Sequence, residues 1–191
     1  MKKNIVIDID STMTTDKSVF HLIKEYYNPS ITEEEYETVG YDGSPYIKKG
    51  EIQRWLTSEE TAYKYFHRFD ELRPEVMDVL KNLKSEGHRL IIITHRGSHL
   101  RDMTLRFLGE NSSLFEEMIF TNGSKSKKAR EYFNGERYIA IDDNPKVVQD
   151  YGKCGFCEQV IKMKTHFNTY ERYLKLHTVY GWDEVASLLL K

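Results

Sequence analysis

Residues 4–12 read Asn-Ile-Val-Ile-Asp-Ile-Asp-Ser-Thr, and this stretch constrains the fold more than any other. A short run of β-branched apolar residues suits a strand buried on both faces of a parallel sheet. Asp8 and Asp10 interrupt the run two residues apart. A carboxylate among apolar residues is costly to bury without a partner. The pair therefore either makes an ordinary turn at the strand's end or serves a metal and a nucleophile. Open α/β sheets place their ligands at the carboxyl ends of strands, where this pair falls.

The design recurs down the chain. Leu90-Ile91-Ile92-Ile93 runs into Thr94-His95-Arg96-Gly97-Ser98, Met118-Ile119-Phe120 into Asn122-Gly123-Ser124, and Arg137-Tyr138-Ile139-Ala140-Ile141 into Asp142-Asp143-Asn144-Pro145. A further strand is expected near 159–163. Helical patterns lie between these runs. Pro74 opens one, through Val76, Val79, Leu80 and Leu83 to a stop at Gly87. Others carry Leu100 to Leu108, Lys125 to about Phe133 behind Ser124 as N-cap, Pro145 to Tyr151, and Trp182 to Leu190. Such alternation predicts an α/β fold, a Rossmann-like doubly wound parallel sheet with right-handed crossovers.

Residues 15–72 break the alternation. Val19, Phe20, Leu22, Ile23 and Tyr26 recur at helical spacing, and Thr32 with Glu35 forms a capping-box signature. Gly40 to Pro45 is a turn cluster, and Trp55 to Phe69 supplies two short aromatic helices divided near Thr57-Ser58. No strand is evident there. The expected organisation is a core of 1–14 and 73–191 with a small helical cap, 15–72, inserted after the first strand.

Composition narrows the class. With 191 residues the chain can bury a substantial core, and a net charge of −2 gives no electrostatic case for nucleic acid as an obligate partner. No run is long and apolar enough to span a membrane. The opening Met1-Lys2-Lys3-Asn4 leads straight into a short run carrying Asp8, unlike a secretory leader. Two cysteines, Cys154 and Cys157, are too few for a disulfide framework, which points to a cytoplasmic protein. Their spacing also fits a redox or half-zinc pair, but a helix-to-strand connection carrying two small residues explains it better.

Four polar stations thus stand at strand ends or adjoining helix starts: Asp8/Asp10, Thr94, Lys125 and Asp142/Asp143. Clustered carboxylates repel unless a hard cation such as Mg²⁺ lies among them. A hydroxyl at Thr94 and a charge at Lys125 suit a phosphoryl group. A carboxylate held in line with a phosphate can attack it, and a second acid can protonate the leaving oxygen and later activate water.

In residue type and order these stations resemble the four motifs of the haloacid dehalogenase superfamily across the whole α/β core. Thr94-His95-Arg96-Gly97-Ser98-His99-Leu100 and the short helical insertion resemble nucleotidases of that superfamily related to 5'(3')-deoxyribonucleotidases. The resemblance implies a Mg²⁺-dependent phosphomonoester hydrolase, with a small-molecule phosphate monoester as partner. Asp8 would be nucleophile and metal ligand. Asp10 would be general acid/base, ligating metal through its backbone carbonyl. Thr94 would hold phosphoryl oxygens, Lys125 would neutralise charge, and Asp142 with Asp143 would complete the metal shell. Ser11 departs from the glycine usual there; a positive φ at that position would cost about 1 kcal/mol.

Alternatives remain open in the sequence. Lys127 and Lys128 share the helix start with Lys125. Either of Asp142 and Asp143 could ligate directly. Arg96 reads as a phosphate or substrate contact or as an exposed loop arginine, and His95 and His99 as surface residues. Phe20, Tyr41, Tyr46 and Trp55 are candidates to stack on a leaving group, with the turn at Gly40 to Pro45, and hence Tyr41, the favoured place. Rivals to the nucleotidase are a phosphatase for another metabolite, such as a sugar phosphate, and a non-catalytic phosphate-binding module. The chain is expected to be a monomer or homodimer.

Overall fold

The computed structural model describes residues 2–40, 43–168 and 175–190. Six parallel strands form one sheet in the order β3-β2-β1-β4-β5-β6. They are β1 (Asn4–Ile7), β2 (Arg89–Thr94), β3 (Glu117–Phe120), β4 (Tyr138–Asp142), β5 (Cys157–Met163) and β6 (Leu176–Val179). The chain fills one half of the sheet, returns to β1, and then fills the other. β1 therefore lies at the centre, pairing Ile7 with Ile92 on one side and Ile141 on the other. At such a switch point the two following crossovers go to opposite sides and leave a crevice beyond the strand ends.

Alternate residues of each strand face opposite layers. Ile5, Ile7, Ile92 and Ile141 pack on one face with Leu80 and Leu83 of α5 (Val76–Ser85) and Trp182 and Val185 of α9 (Trp182–Leu189). Val6, Ile91, Ile93 and Ala140 pack on the other with Ala129 of α7 (Lys125–Tyr132) and Val148 and Tyr151 of α8 (Pro145–Lys153). Burial on both faces explains the unbroken apolar runs.

Residues 15–72 contribute α1 (Ser18–Tyr26), α2 (Glu33–Tyr36), α3 (Glu51–Thr57) and α4 (Glu59–Phe69). Their buried side chains form a cluster of their own, joined by Leu100 and by Met103 of α6 (Arg101–Leu108). The Thr32–Glu35 capping box is formed on α2. Leaving and returning strands of the chain meet at an isolated antiparallel bridge between Thr14 and Leu72, and Arg73 donates from Nε to the Thr14 carbonyl at 3.1 Å and from Nη2 to the Ser11 carbonyl at 3.0 Å.

Two elements differ from expectation. β6 was not foreseen: four residues, Leu176-His177-Thr178-Val179, at the sheet edge carry only Val179 fully into the core, too little for a periodic signal. α5 begins at Val76 because Glu75 takes a left-handed φ of 59°, which leaves Pro74 in the preceding turn. Among the described residues no helix is long and apolar enough to cross a membrane.

Candidate active site

The polar stations meet at one end of β1 and β4. Asp8 follows β1 and is locked by its N–H to the Ile141 carbonyl at 3.0 Å, while Asp142 closes β4 and Asp143 follows. Carboxylate oxygens of Asp8, Asp142 and Asp143 lie within 4.8 Å of one another, and all three residues are buried. Ser124 caps α7 by accepting from the Lys127 N–H at 3.1 Å, which points Lys125 inward. Its Nζ lies 2.6 Å from Asp8 Oδ1 and 2.8 Å from Asp142 Oδ2. Lys128 instead pairs on the surface with Glu131, so the structure takes Lys125 into the cluster.

The charges do not balance. Three buried carboxylates face one ammonium, and Asp8 Oδ1 has no well-aligned hydrogen bond despite its proximity to Lys125. Burial raises the Asp8 carboxyl to about 7; Lys125 opposes this, and Asp142 and Asp10 add to it. Burial first, then Asp142 and Asp8, also push Asp143 well above the usual carboxylate range. Burial alone would lower the Lys125 ammonium, but Asp142 and Asp8 outweigh it and keep it charged. An all-oxygen donor set with surplus negative charge fits a hard divalent cation such as Mg²⁺. Asp8, Asp142 and Asp143 are the residues that would hold it. Its charge would return the Asp8 and Asp143 carboxyls to the ionised form.

Around this cluster the loops are fixed by partners the sequence reading did not single out. Thr12 donates to Asp143 Oδ1 at 3.4 Å, Asn168 Nδ2 donates to the Asp143 carbonyl at 3.1 Å, and Trp182 Nε1 to the Thr12 carbonyl at 2.9 Å. Ser11 does take the positive φ, 57°, with its N–H donating to Thr14 Oγ1 at 3.0 Å. Thr94 is fully buried, and its Oγ1 accepts from the Arg96 N–H at 3.1 Å; the hydroxyl has no other partner among the described residues, so its hydrogen is left for an incoming acceptor.

Asp10 stands apart from the carboxylate cluster. Arg96 donates to both its oxygens, and the same guanidinium donates to Asp70 at the end of α4 and to Thr104. The exposed-loop alternative for Arg96 does not hold: its side chain is buried because two carboxylates meet its charge and the Phe66 ring lies 4.0 Å beneath it. Asp70 had no signal in the sequence beyond its position after an aromatic helix.

A cavity of about 530 Å³ opens above Asp10 and Ser11, within the range of small-molecule sites. Its aromatic wall comes from Tyr65, Phe66 and Phe167, beside aliphatic Val19, Ile52, Leu56 and Leu100, and its polar rim includes Asp16, Ser18, His95, His99 and Asn122. The aromatic expectations need correction here. Phe20 is consumed by the core of the helical segment, Trp55 packs on Tyr26, and Tyr46 packs half-buried against the same core; none lines the cavity. The described part of the turn at Gly40 to Pro45 does not line it either, and Tyr41 lies outside the described residues. His95 and His99 are exposed, as expected of surface residues, but they border the cavity and contact the Gly123 and Leu56 carbonyls. Both cysteines are free, with Cys154 accepting from the Tyr138 hydroxyl at 3.3 Å and Cys157 buried in β5.

Fold and site together define a doubly wound α/β protein with an acidic centre at the switch point of its sheet. The model of the haloacid dehalogenase-like hydrolases matches residues 2–149, and the chain belongs to that family. It is a phosphatase of the family, a phosphomonoester hydrolase. Over 97% of its length it is 25% identical to a nucleotidase of Clostridium acetobutylicum, covering 93% of that protein. Among solved structures it resembles CbbY from Rhodobacter sphaeroides in complex with phosphate (TM-score 0.62, 16% identity, 97% and 96% of the two chains covered). It likewise resembles a haloacid dehalogenase phosphatase from Thermococcus onnurineus (TM-score 0.62, 17% identity, 100% and 98% covered). These two likenesses speak for the fold alone.

Proposed function

We propose that the chain is a Mg²⁺-dependent 5'-nucleotidase acting through an aspartyl-phosphate. The observation that carries this is the buried Asp8, within 2.6 Å of Lys125, among Asp142 and Asp143 and beneath an aromatic-walled cavity. When bound, Mg²⁺ would offset the charge of the carboxylates and of the phosphate. Asp8 Oδ attacks phosphorus in line as the ester P–O bond breaks. Lys125 and the Thr94 hydroxyl stabilise the charge on the phosphoryl oxygens. Asp10, whose backbone carbonyl would be a further metal ligand, gives its proton to the departing alkoxide. It then takes one from the water that attacks the aspartyl-phosphate, which frees orthophosphate and restores Asp8.

Residues 15–72 act as a cap in this reading. They supply Tyr65 and Phe66 to the leaving-group cavity and exclude bulk water from the first step. The nucleotide as substrate is supported by the Clostridium acetobutylicum relative and by the aromatic wall. Free cysteines suit a reducing cytoplasm. The test is phosphate release with Mg²⁺ across nucleoside monophosphates and sugar phosphates. Turnover concentrated in the nucleotides supports the proposal; turnover concentrated in sugar phosphates leaves the mechanism standing and removes the substrate.

A further inference from the structure

Resting on the phosphatase reading above, we infer that Arg96 and Asp70 form a clamp that holds the Asp10 carboxyl in the orientation needed for proton transfer. Arg96 is then a positioning residue and makes no contact with the substrate itself.

Each of its three guanidinium nitrogens is engaged. Nε donates to both Asp10 oxygens at 3.1 Å, Nη2 to Asp10 Oδ1 at 2.6 Å and Asp70 Oδ2 at 2.5 Å, and Nη1 to Thr104 Oγ1 at 3.3 Å. The Phe66 ring closes one face at 4.0 Å. Reaching a phosphate would mean giving up the two-oxygen contact with Asp10 or leaving the buried Asp70 carboxylate unpaired, and the second exchange is costly. Exposure separates the roles. The side chains of Arg96 and Asp70 are 1% and 2% exposed, whereas that of Asp10 is 39% exposed and borders the cavity. Arg96 also lines the cavity, but its side chain offers almost no surface there, which leaves Asp10 as the group placed to meet a ligand and Arg96 to aim it.

A bidentate guanidinium fixes a carboxylate in plane and direction as a point charge cannot. Asp70 in turn fixes the guanidinium and occupies the charge that Asp10 does not use. Asp70 also ends α4, so the clamp ties the helical segment's return to the loop after β1. Displacing α4 would release Arg96 and Asp10 together, which makes proton transfer depend on how that segment is seated.

The test compares two esters. An alkyl phosphate, a nucleoside monophosphate, needs its leaving oxygen protonated; p-nitrophenyl phosphate does not. Single-turnover release is measured for wild type, R96K, R96Q and the charge-balanced double variant R96Q/D70N, which guards against misfolding from an unpaired Asp70. The expected result is a loss on the alkyl ester about a hundredfold greater than the loss on first release of p-nitrophenol, with partial recovery in R96K. Equal losses on both esters, or no loss on either, overturn the proposal. A crystal structure of R96Q/D70N gives a second readout. Asp10 turned away from its wild-type rotamer supports the clamp, and an unchanged rotamer overturns it. Should wild type cleave neither ester, the phosphatase reading fails, and the Asp10 rotamer still decides the clamp.

Discussion

Asp8 sits where two demands conflict. The strand wants it buried and apolar, and the chemistry wants it ionised. With burial raising its carboxyl to about 7, a proton must leave when a cation binds. Mg²⁺ affinity should therefore strengthen as pH rises towards 7 and level off above it, with proton release visible in calorimetric titrations run in buffers of different ionisation enthalpy. An affinity independent of pH from 5 to about 8 would contradict the charge accounting at this site. Ser11 is a milder conflict. Its left-handed φ of 57° costs about 1 kcal/mol, and glycine there would give back roughly as much through its freer unfolded chain. S11G should thus keep stability within about 0.5 kcal/mol in urea unfolding; a loss above about 1 kcal/mol would mean the serine side chain itself holds the loop.

Most elements were legible in the sequence, and the exceptions share a cause. The four motif stations could be read because strands buried on both faces are apolar without interruption, so their polar ends stand out. Lys125 could be favoured over Lys127 and Lys128 because Ser124 announced the helix start, and the capping bond that does this is present. β6 and the Arg96–Asp70 pair were not legible. A four-residue edge strand has almost no period, and an ion pair spanning 26 residues of sequence leaves no local trace. The aromatic wall was misplaced because helical spacing shows which residues share a face without showing what that face meets. At this scale, S124A should cost about 1 kcal/mol of stability by removing the cap. It should also lower kcat more than it raises KM, since Lys125 loses its fixed helix turn. A fall in stability with kcat unchanged would separate the cap from the placement of Lys125.

Across the whole molecule, the site is a source of instability that a bound cation would relieve. Asp8 and Asp70, both raised to about 7 chiefly by burial, bind protons more tightly in the folded chain than in the unfolded one. Their contribution to stability is therefore present at low pH and is lost as pH rises from about 4 to about 7. The metal-free protein should melt at lower temperature at pH 8 than near pH 5.5, and Mg²⁺ should raise the melting temperature most at the higher pH. A melting temperature that climbs with pH without metal would show that these groups do not set the balance.

The central claim is that Asp8 carries the phosphoryl group. Phosphate release from a nucleoside monophosphate by wild type and Asp8→Asn, each with Mg²⁺ and with chelator, tests it most directly. The account predicts turnover only for wild type with Mg²⁺, and a fall of at least about 10³-fold in Asp8→Asn. Turnover by a well-folded Asp8→Asn comparable to wild type, or turnover indifferent to Mg²⁺, would contradict it.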